Sequence, residues 1–283
     1  MTPMSGALDW LAVGDVGEER NGAKHPTVGG AAARLAAHAS ALKATTALVG
    51  KVGGDEAAAR LRDQLTRLHV DLRWLRTAPT ARTTIWFSDD GGTPRRVERG
   101  ADLALRLDEI PPLALKAKLT VVSGYSLSVE PSRSAAMGAL TSAAARGGRA
   151  ALLVEAELLW ATNARVTRRI LEPALATADS IALSQADAQL LVGTASGRDA
   201  ARLLSAMGPR IVYLTQADGS VVVRDGGRSH RAPAHESTAA PRDRFAGPAA
   251  FWVALAERLP VADALARSVR YASGARASTS AKR

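Results

Sequence analysis

The stretch that decides the fold runs from residue 119 to residue 154. It holds the apolar run Leu119-Thr120-Val121-Val122-Ser123, the alanine-rich segment Pro131–Arg146, and a second apolar run, Ala150-Ala151-Leu152-Leu153-Val154. Short runs that are apolar throughout and end at Gly or Ser read as strands buried on both faces. The segment between them has the length and composition of a helix, so the three together make a parallel strand–helix–strand unit. The rhythm extends in both directions. Leu8–Val13, Thr46–Val49, Ser180–Leu183, Ile211–Thr215 and Ser220–Val223 are further strand candidates. Ala31–Lys43, Glu56–Leu68, Ala164–Ala176, Ala186–Leu191, Arg198–Met207, Pro248–Leu259 and Ala262–Ala277 carry helical patterns. The alternation predicts an α/β fold: a doubly wound, mostly parallel sheet flanked by helices on both faces.

One stretch breaks this rhythm. Thr83–Asp90 and Pro94–Arg99 flank Asp89-Asp90-Gly91-Gly92, a strong hairpin signal with partly alternating polarity. A hairpin between parallel units suits a small β lid or a dimer contact. A second hairpin is expected at Gln216–Gly219. The organisation expected is one domain over 1–283, with lid strands within 8–30 and 83–100. The small, polar tail Ala277–Arg283 is expected to fray.

The 283 residues, 47% of them hydrophobic, are enough to build a full core. No apolar run approaches ~18 residues, so no membrane span is expected. Met1–Trp10 lacks a basic region followed by an apolar stretch, so no secretory signal is expected. The absence of cysteine excludes disulfides and thiolate metal sites and suits a cytoplasmic protein.

The net charge of +10 raises the question of nucleic acid. Arginines are interspersed with acids, as at Arg60, Asp63 and Arg67. Only the C-terminal third is consistently basic: Arg224, Arg228, Arg231, Arg242, Arg244, Arg267, Arg270, Arg276, Lys282 and Arg283. No aromatic residues interleave with these at the spacing of a stacking platform. The excess reads as compositional bias, and nucleic acid is not the expected partner.

Several motifs are decoys. Gly50-Lys51-Val52-Gly53-Gly54-Asp55 lacks P-loop spacing, and no GxGxxG opens a helix. His25, His38, His69, His230 and His235 have no metal-binding spacing, so no metal-ligand set is expected. Gly124-Tyr125-Ser126 lacks the second glycine of a nucleophile elbow. More informative are Gly29-Gly30: either they open a helix whose free amides favour an oxygen-rich ligand, or they make a tight turn with no ligand. Asp55 fits the N-cap of the following helix. Asp243-Arg244-Phe245-Ala246-Gly247-Pro248-Ala249-Ala250-Phe251 opens a helix with Gly247 suited to the N-cap and Pro248 to the first helical position. Such a start can hold phosphate, but Pro248 lacks an amide donor and Ala249 has nothing to titrate.

Taken in order, these segments resemble the ribokinase-like (PfkB) carbohydrate kinases along nearly the whole chain. Val28–Ala36 is similar to that family's GG-A-x-x-N-x-A segment, and Gly50–Asp55 to its GxVGxD turn. Pro79-Thr80, Ser123–Leu127, Thr177–Leu191 (the NxxE region) and Thr215–Gly219 (the GxxG turn) follow in the family's order. Asp243–Phe251 falls where the DTTGAGDAF signature belongs, and Tyr271–Ala275 resembles the helix closing the adenine pocket. The resemblance implies ATP- and Mg2+-dependent phosphoryl transfer to a sugar-type or nucleoside hydroxyl. It implies substrate contacts at Asp15, Gly29, Gly30 and Arg34, and nucleotide contacts at Ser184, Asp187, Thr215, Gln216, Gly219, Arg244 and Ala272. It places an anion hole at Gly247 and makes a homodimer through the lid strands plausible.

The chain departs from the family where the chemistry is done. The base position is Ala249, and Asp243 is the only nearby substitute candidate. The signature's glycines are Ala246 and Pro248, and its threonines are Arg244 and Phe245. The NxxE pair is Ser184 and Asp187, the first GxxG glycine is Gln216, and the sugar-contacting asparagine is Arg34. The acidic residue near the first strand is Asp15, Glu18 or Glu19. Arg34 and Arg244 either bind an anion statically or are solvated. Two readings follow: a divergent kinase of weak or lost activity, or a non-catalytic sugar- or nucleotide-binding protein with a regulatory or partner role.

Overall fold

The computed structural model describes residues 8–22, 25–89, 94–155, 164–234 and 243–274. The chain opens with β1 (Trp10–Val13), β2 (Gly17–Arg20), β3 (Thr27–Gly29), α1 (Ala31–Ala41), β4 (Thr46–Gly53) and α2 (Glu56–Arg67). Next come β5 (Leu75–Ala78), β6 (Thr84–Ser88), β7 (Pro94–Glu98), β8 (Leu119–Ser123), α3 (Ser132–Ala145) and β9 (Arg149–Leu153). Then follow α4 (Ala164–Thr177), β10 (Ser180–Ser184), α5 (Gln185–Val192), α6 (Gly197–Ser205) and β11 (Ile211–Thr215). The chain closes with β12 (Val221–Asp225), β13 (Arg228–Ala232), α7 (Ala246–Ala256) and α8 (Val261–Gly274).

The main sheet has the order β13-β12-β11-β10-β9-β8-β1-β4-β5. It is parallel from β11 to β5, and β12 and β13 add an antiparallel edge. Alternation along β1 shows why both faces must be covered. Trp10 and Ala12 enter the core layer shared with α1, α2, α7 and α8. Leu11 and Val13 enter the layer under α3, α4, α5 and α6. Neighbouring side chains on a strand point to opposite faces, so an all-apolar strand needs helices on both sides. This is the three-layer fold that the alternation predicts.

A second sheet, β3-β2-β6-β7, stands apart from the first. The hairpin expected around residue 90 is its β6–β7 pair, whose tip at 90–93 lies outside the described residues. The expected helix end at Ala277 and the frayed tail also lie outside them, as do Arg242, Arg276, Lys282 and Arg283. Trp86 of β6 packs on Tyr125, with ring centroids 5.6 Å apart, and so ties this sheet to the end of β8.

Two expectations need correction. The strand candidate Thr46–Val49 is too short: Gly50–Asp55 is the strand end leading into α2 that its residues suggest, and β4 itself continues to Gly53. A Cβ on Gly53 would lie 2.5 Å from the Ala81 carbonyl, so the glycine permits a close backbone approach within a strand. Asp55 then caps α2 as expected, accepting the Ala58 amide at 3.1 Å. The last signature helix also starts earlier than expected. Phe245 is the N-cap of α7, so Gly247 and Pro248 lie inside the first turn. Asp243 causes the shift: its carboxylate accepts the Phe245 amide at 3.0 Å, and its carbonyl accepts the Ala246 amide at 3.1 Å.

Candidate functional site

β1 lies between β4 and β8, where the strand order turns outward in both directions. In open α/β sheets ligands bind beyond the carboxyl ends of strands at such a switch point. Asp15 follows β1 there, and its carboxylate accepts the Ala31 and Ala32 amides at 2.6 and 3.2 Å. It serves as the missing cap of α1, because the N-cap residue Gly30 has no side chain. Gly30 has φ 88°, and a Cβ there would lie 2.6 Å from the Asp15 carbonyl, so this corner requires glycine. Burial raises the Asp15 pKa, opposed by hydrogen bonds from Ser123 and the α1 amides.

The three acidic candidates near β1 separate cleanly. Glu18 turns to Arg60 and Arg20, each at 2.8 Å. Glu19 accepts Arg34 at 2.6 Å, and Asp15 holds α1. Arg34 is a bridge: its other terminal nitrogen donates to Asp243 at 2.6 Å. His38, one turn further along α1, donates Nε2–H to the same carboxylate oxygen at 2.9 Å. Its Nδ1 lies 3.1 Å from the Tyr271 hydroxyl of α8.

Asp243 is therefore a clamped anion. Its side chain is 0% exposed. Burial alone would push its carboxyl up. The His38 hydrogen bond and the Arg34 charge outweigh that and hold it well below the usual carboxylate range.

Arg244, beside it, reaches Glu155 at 3.0 Å. Both guanidiniums lie over the Phe245 ring, Arg34 at 4.8 Å and Arg244 at 4.7 Å from its centroid. Glu155 is buried just past β9, and its Oε2 has no hydrogen-bond partner. Burial and the Asp15 charge push its carboxyl up to about 8 despite Arg244. Asp15, Glu19, Gly30, Arg34, Arg244 and Glu155, with Phe245, Trp86 and Ser88, enclose a cavity of only about 20 Å³. A space of that size holds about one water.

A family model described as pfkB family carbohydrate kinase matches residues 10–283. The chain belongs to the pfkB family of carbohydrate kinases. A fructokinase of Klebsiella pneumoniae is 31% identical over 215 residues, 73% of this chain and 69% of that protein. A fructokinase of Escherichia coli is 30% identical over 226 residues, 77% of this chain and 73% of the other. Aminoimidazole riboside kinase from Salmonella enterica, in a crystal structure with aminoimidazole riboside and an ATP analog, has the same fold. Its TM-score is 0.82 at 17% identity, covering 95% of this chain and 93% of the other.

Against the pfkB pattern, the residues at the signature helix serve packing. Every residue from Ala246 to Leu255 is buried, as expected of a helix that is apolar all round. Ala249, where the resemblance would put a base, is 0% exposed and belongs to the core with Phe251 and Trp252. A Cβ on Gly247 would lie 2.6 Å from the Tyr213 hydroxyl, so close packing already explains that glycine.

The expected nucleotide contacts are scattered along the same edge. Ser184 caps α5 in a closed capping box, its hydroxyl accepting the Asp187 amide at 3.1 Å and donating to Asp187 Oδ2 at 2.7 Å. Thr215, Gln216 and Gly219 shape the β11–β12 turn, where the Gly219 amide donates to the Gln216 carbonyl at 2.9 Å. Ala272 lies on α8, with its Cβ 3.7 Å from the point a Gly247 side chain would occupy. Gly29 ends β3 beside Trp86. Of the expected nucleotide contacts only Arg244 lines the small cavity, among the residues expected to meet substrate.

Sequence reasoning missed Glu155, although an acid directly after an apolar strand run was visible. It also set His38 aside, although Arg34 and His38 stand four apart on one helix, the spacing that puts side chains on one face.

Proposed function

We propose that this chain is a sugar or nucleoside kinase by descent whose phosphoryl transfer is weak or lost. The observation that carries this reading is Ala249, fully buried at the base position, with the nearest substitute carboxylate, Asp243, clamped by Arg34 and His38. A proton acceptor must be free and matched in pKa to its task, and Asp243 is neither. Losing a general base costs about 10²–10⁴ in rate. Losing one oxyanion donor, here the amide absent from Pro248, costs about 10²–10³, and the two need not add.

ATP with Mg2+ would supply the transferable phosphoryl group. The β11–β12 turn and the Ala272 face of α8 are the surfaces for the nucleotide. The donor set fits the metal poorly, because Asp187 is committed to the α5 cap and Asp243 to its clamp. Among the described residues no group of three or more His, Cys, Asp or Glu stands ready to hold a metal ion. No helix among them is long and apolar enough to cross a membrane.

The second reading is a sugar- or nucleotide-binding protein with a regulatory or partner role, working as a dimer through the second sheet. It is favoured by a cavity whose walls keep unpartnered polar atoms, Ser88 Oγ and Glu155 Oε2. A sugar would enter by turning Arg244 away from Glu155, and the Arg244 side chain is 48% exposed.

The test is label transfer from γ-labelled ATP with Mg2+ to fructose and a panel of sugars and nucleosides, followed by calorimetric binding. Absent or trace transfer with binding of one panel member supports the proposal. Efficient transfer that disappears in Asp243→Asn makes the chain a working kinase with Asp243 as base.

A further inference from the structure

The parallel strands also have an amino end, opposite the site just described. β8 and β9 begin there, at Leu119 and Arg149, and α3 and α7 finish there. Between them lies an open cleft of about 520 Å³, walled by Lys116, Lys118, Arg146, Arg149 and Arg258 around Gly147 and Gly148. We infer that this cleft is a second binding site, taking a small molecule that carries a phosphate group.

The charge balance supports an anion. Lys118 pairs with Asp9 at 2.7 Å. Arg149 stands 4.0 Å from Asp179, which is shared with Arg210 at 3.7 Å. Arg146 donates to the Leu115 carbonyl at 3.1 Å, a contact that leaves its charge uncompensated. Among the described residues Lys116 and Arg258 make no ion pair, and both are exposed. Glu257, the C-cap residue of α7 beside Arg258, is held by Arg267 of α8.

Helix carboxyl ends offset part of the excess. α3 and α7 carry no basic residue in their last turns, and each end contributes about half a negative charge. Five cations set against Asp9, Asp179 and two helix ends leave roughly two positive charges. A phosphomonoester carries about −1.5 to −2 at neutral pH, so the match is close.

Size and composition exclude larger anions as the favoured ligand. The volume is that of a small-molecule pocket. Among the described residues no aromatic side chain lines the cleft to stack a base, which a single-stranded nucleic acid would use.

Calorimetry at low salt tests this, with inorganic phosphate, glucose 6-phosphate and glucose as probes. The proteins compared are the wild type, the cleft variant Lys116→Glu/Arg258→Glu, a charge-matched control Arg228→Glu/Arg231→Glu on β13, and Arg244→Ala at the opposite edge. The expected result is binding of glucose 6-phosphate or phosphate that weakens at least about tenfold in the cleft variant. The control and Arg244→Ala should keep it, and glucose should show no cleft-dependent binding. Phosphate alone matching the ester would make the phosphate group the whole ligand. The inference is overturned by no binding of either phosphate probe, by equal loss in the β13 control, or by loss in Arg244→Ala instead. Tighter, cleft-dependent binding of a single-stranded oligonucleotide would also overturn it.

Discussion

The two edges of the main sheet both collect arginine and treat it in opposite ways. At the carboxyl edge, Arg34 and Arg244 meet Glu19, Asp243 and Glu155 at 2.6 to 3.0 Å around a space for about one water. At the amino edge, five cations surround an open cleft, and among the described residues two acids, Asp9 and Asp179, pair with them. The lesson concerns charge counting. A net +10 says nothing about where charge is available. At the carboxyl edge Arg34 faces the Glu19 and Asp243 carboxylates and Arg244 is hydrogen-bonded to Glu155, whereas at the amino edge Lys116, Arg146 and Arg258 make no ion pair among the described residues.

The comparison breaks most easily at Asp243. Asp243→Ala leaves Arg34 and His38 without their shared anion, and unpairing a buried charge costs about 3–5 kcal/mol. Urea unfolding should show that loss. Lys116→Ala at the amino edge should change stability by no more than ~0.5 kcal/mol. Equal effects at the two edges would mean that the carboxyl edge is not clamped.

A smaller effect separates packing from anion binding at Gly247. Gly247→Ala drives a methyl into the Tyr213 hydroxyl and should cost about 1–3 kcal/mol in the same assay, with no ligand present. An unchanged urea midpoint would return Gly247 to a purely ligand-directed role.

The pH dependence sharpens the contrast further. Glu155 has its ordinary value of 4.5 when unfolded and about 8 in the fold. Between those values the folded state keeps a proton that the unfolded state has released, so stability falls as pH rises through the window. Asp102, hydrogen-bonded to Thr84 and pushed to about 8 by burial, acts in the same direction. Glu155→Gln should therefore make the decline in urea midpoint shallower without abolishing it. Asp243 has the opposite sign. Its depressed pKa stabilises the fold above its ordinary value of 3.8, and that contribution is lost as pH falls below it. Acid unfolding should therefore be less steep in Asp243→Asn than in the wild type.

Much of this architecture was legible in the chain because buried parallel strands must be apolar throughout. β8, β9, β10 and β11 fall within a residue or two of their apolar runs. β5 (Leu-Arg-Thr-Ala) and β13 (Arg-Ser-His-Arg-Ala) were not legible, because edge strands need no apolar run. β4 extends past the apolar run Thr46–Val49, because Gly50 and Gly53 stay in the strand while letting other backbone come close.

At the candidate site, sequence order alone pointed to Arg34, Asp243 and Ala249 and left the acid near β1 open among Asp15, Glu18 and Glu19. It did not show that Arg34 and Asp243, 209 residues apart, are partners. Nor did it reveal Glu155 or His38, whose significance arises only when separate elements converge. Chain-local patterns report caps and periodicity, whereas ion-pair partners are set by the fold.

The most direct measurement is the rate of γ-phosphoryl transfer from ATP to fructose by the wild-type chain, read by label incorporation at saturating substrates with Mg2+. Working kinases turn over at about 1–100 s⁻¹. The clamped Asp243 and the buried Ala249 predict a rate at least about 10² below that range, unchanged in Asp243→Asn. Transfer within the working range, abolished by Asp243→Asn in a protein that remains folded, would contradict the account.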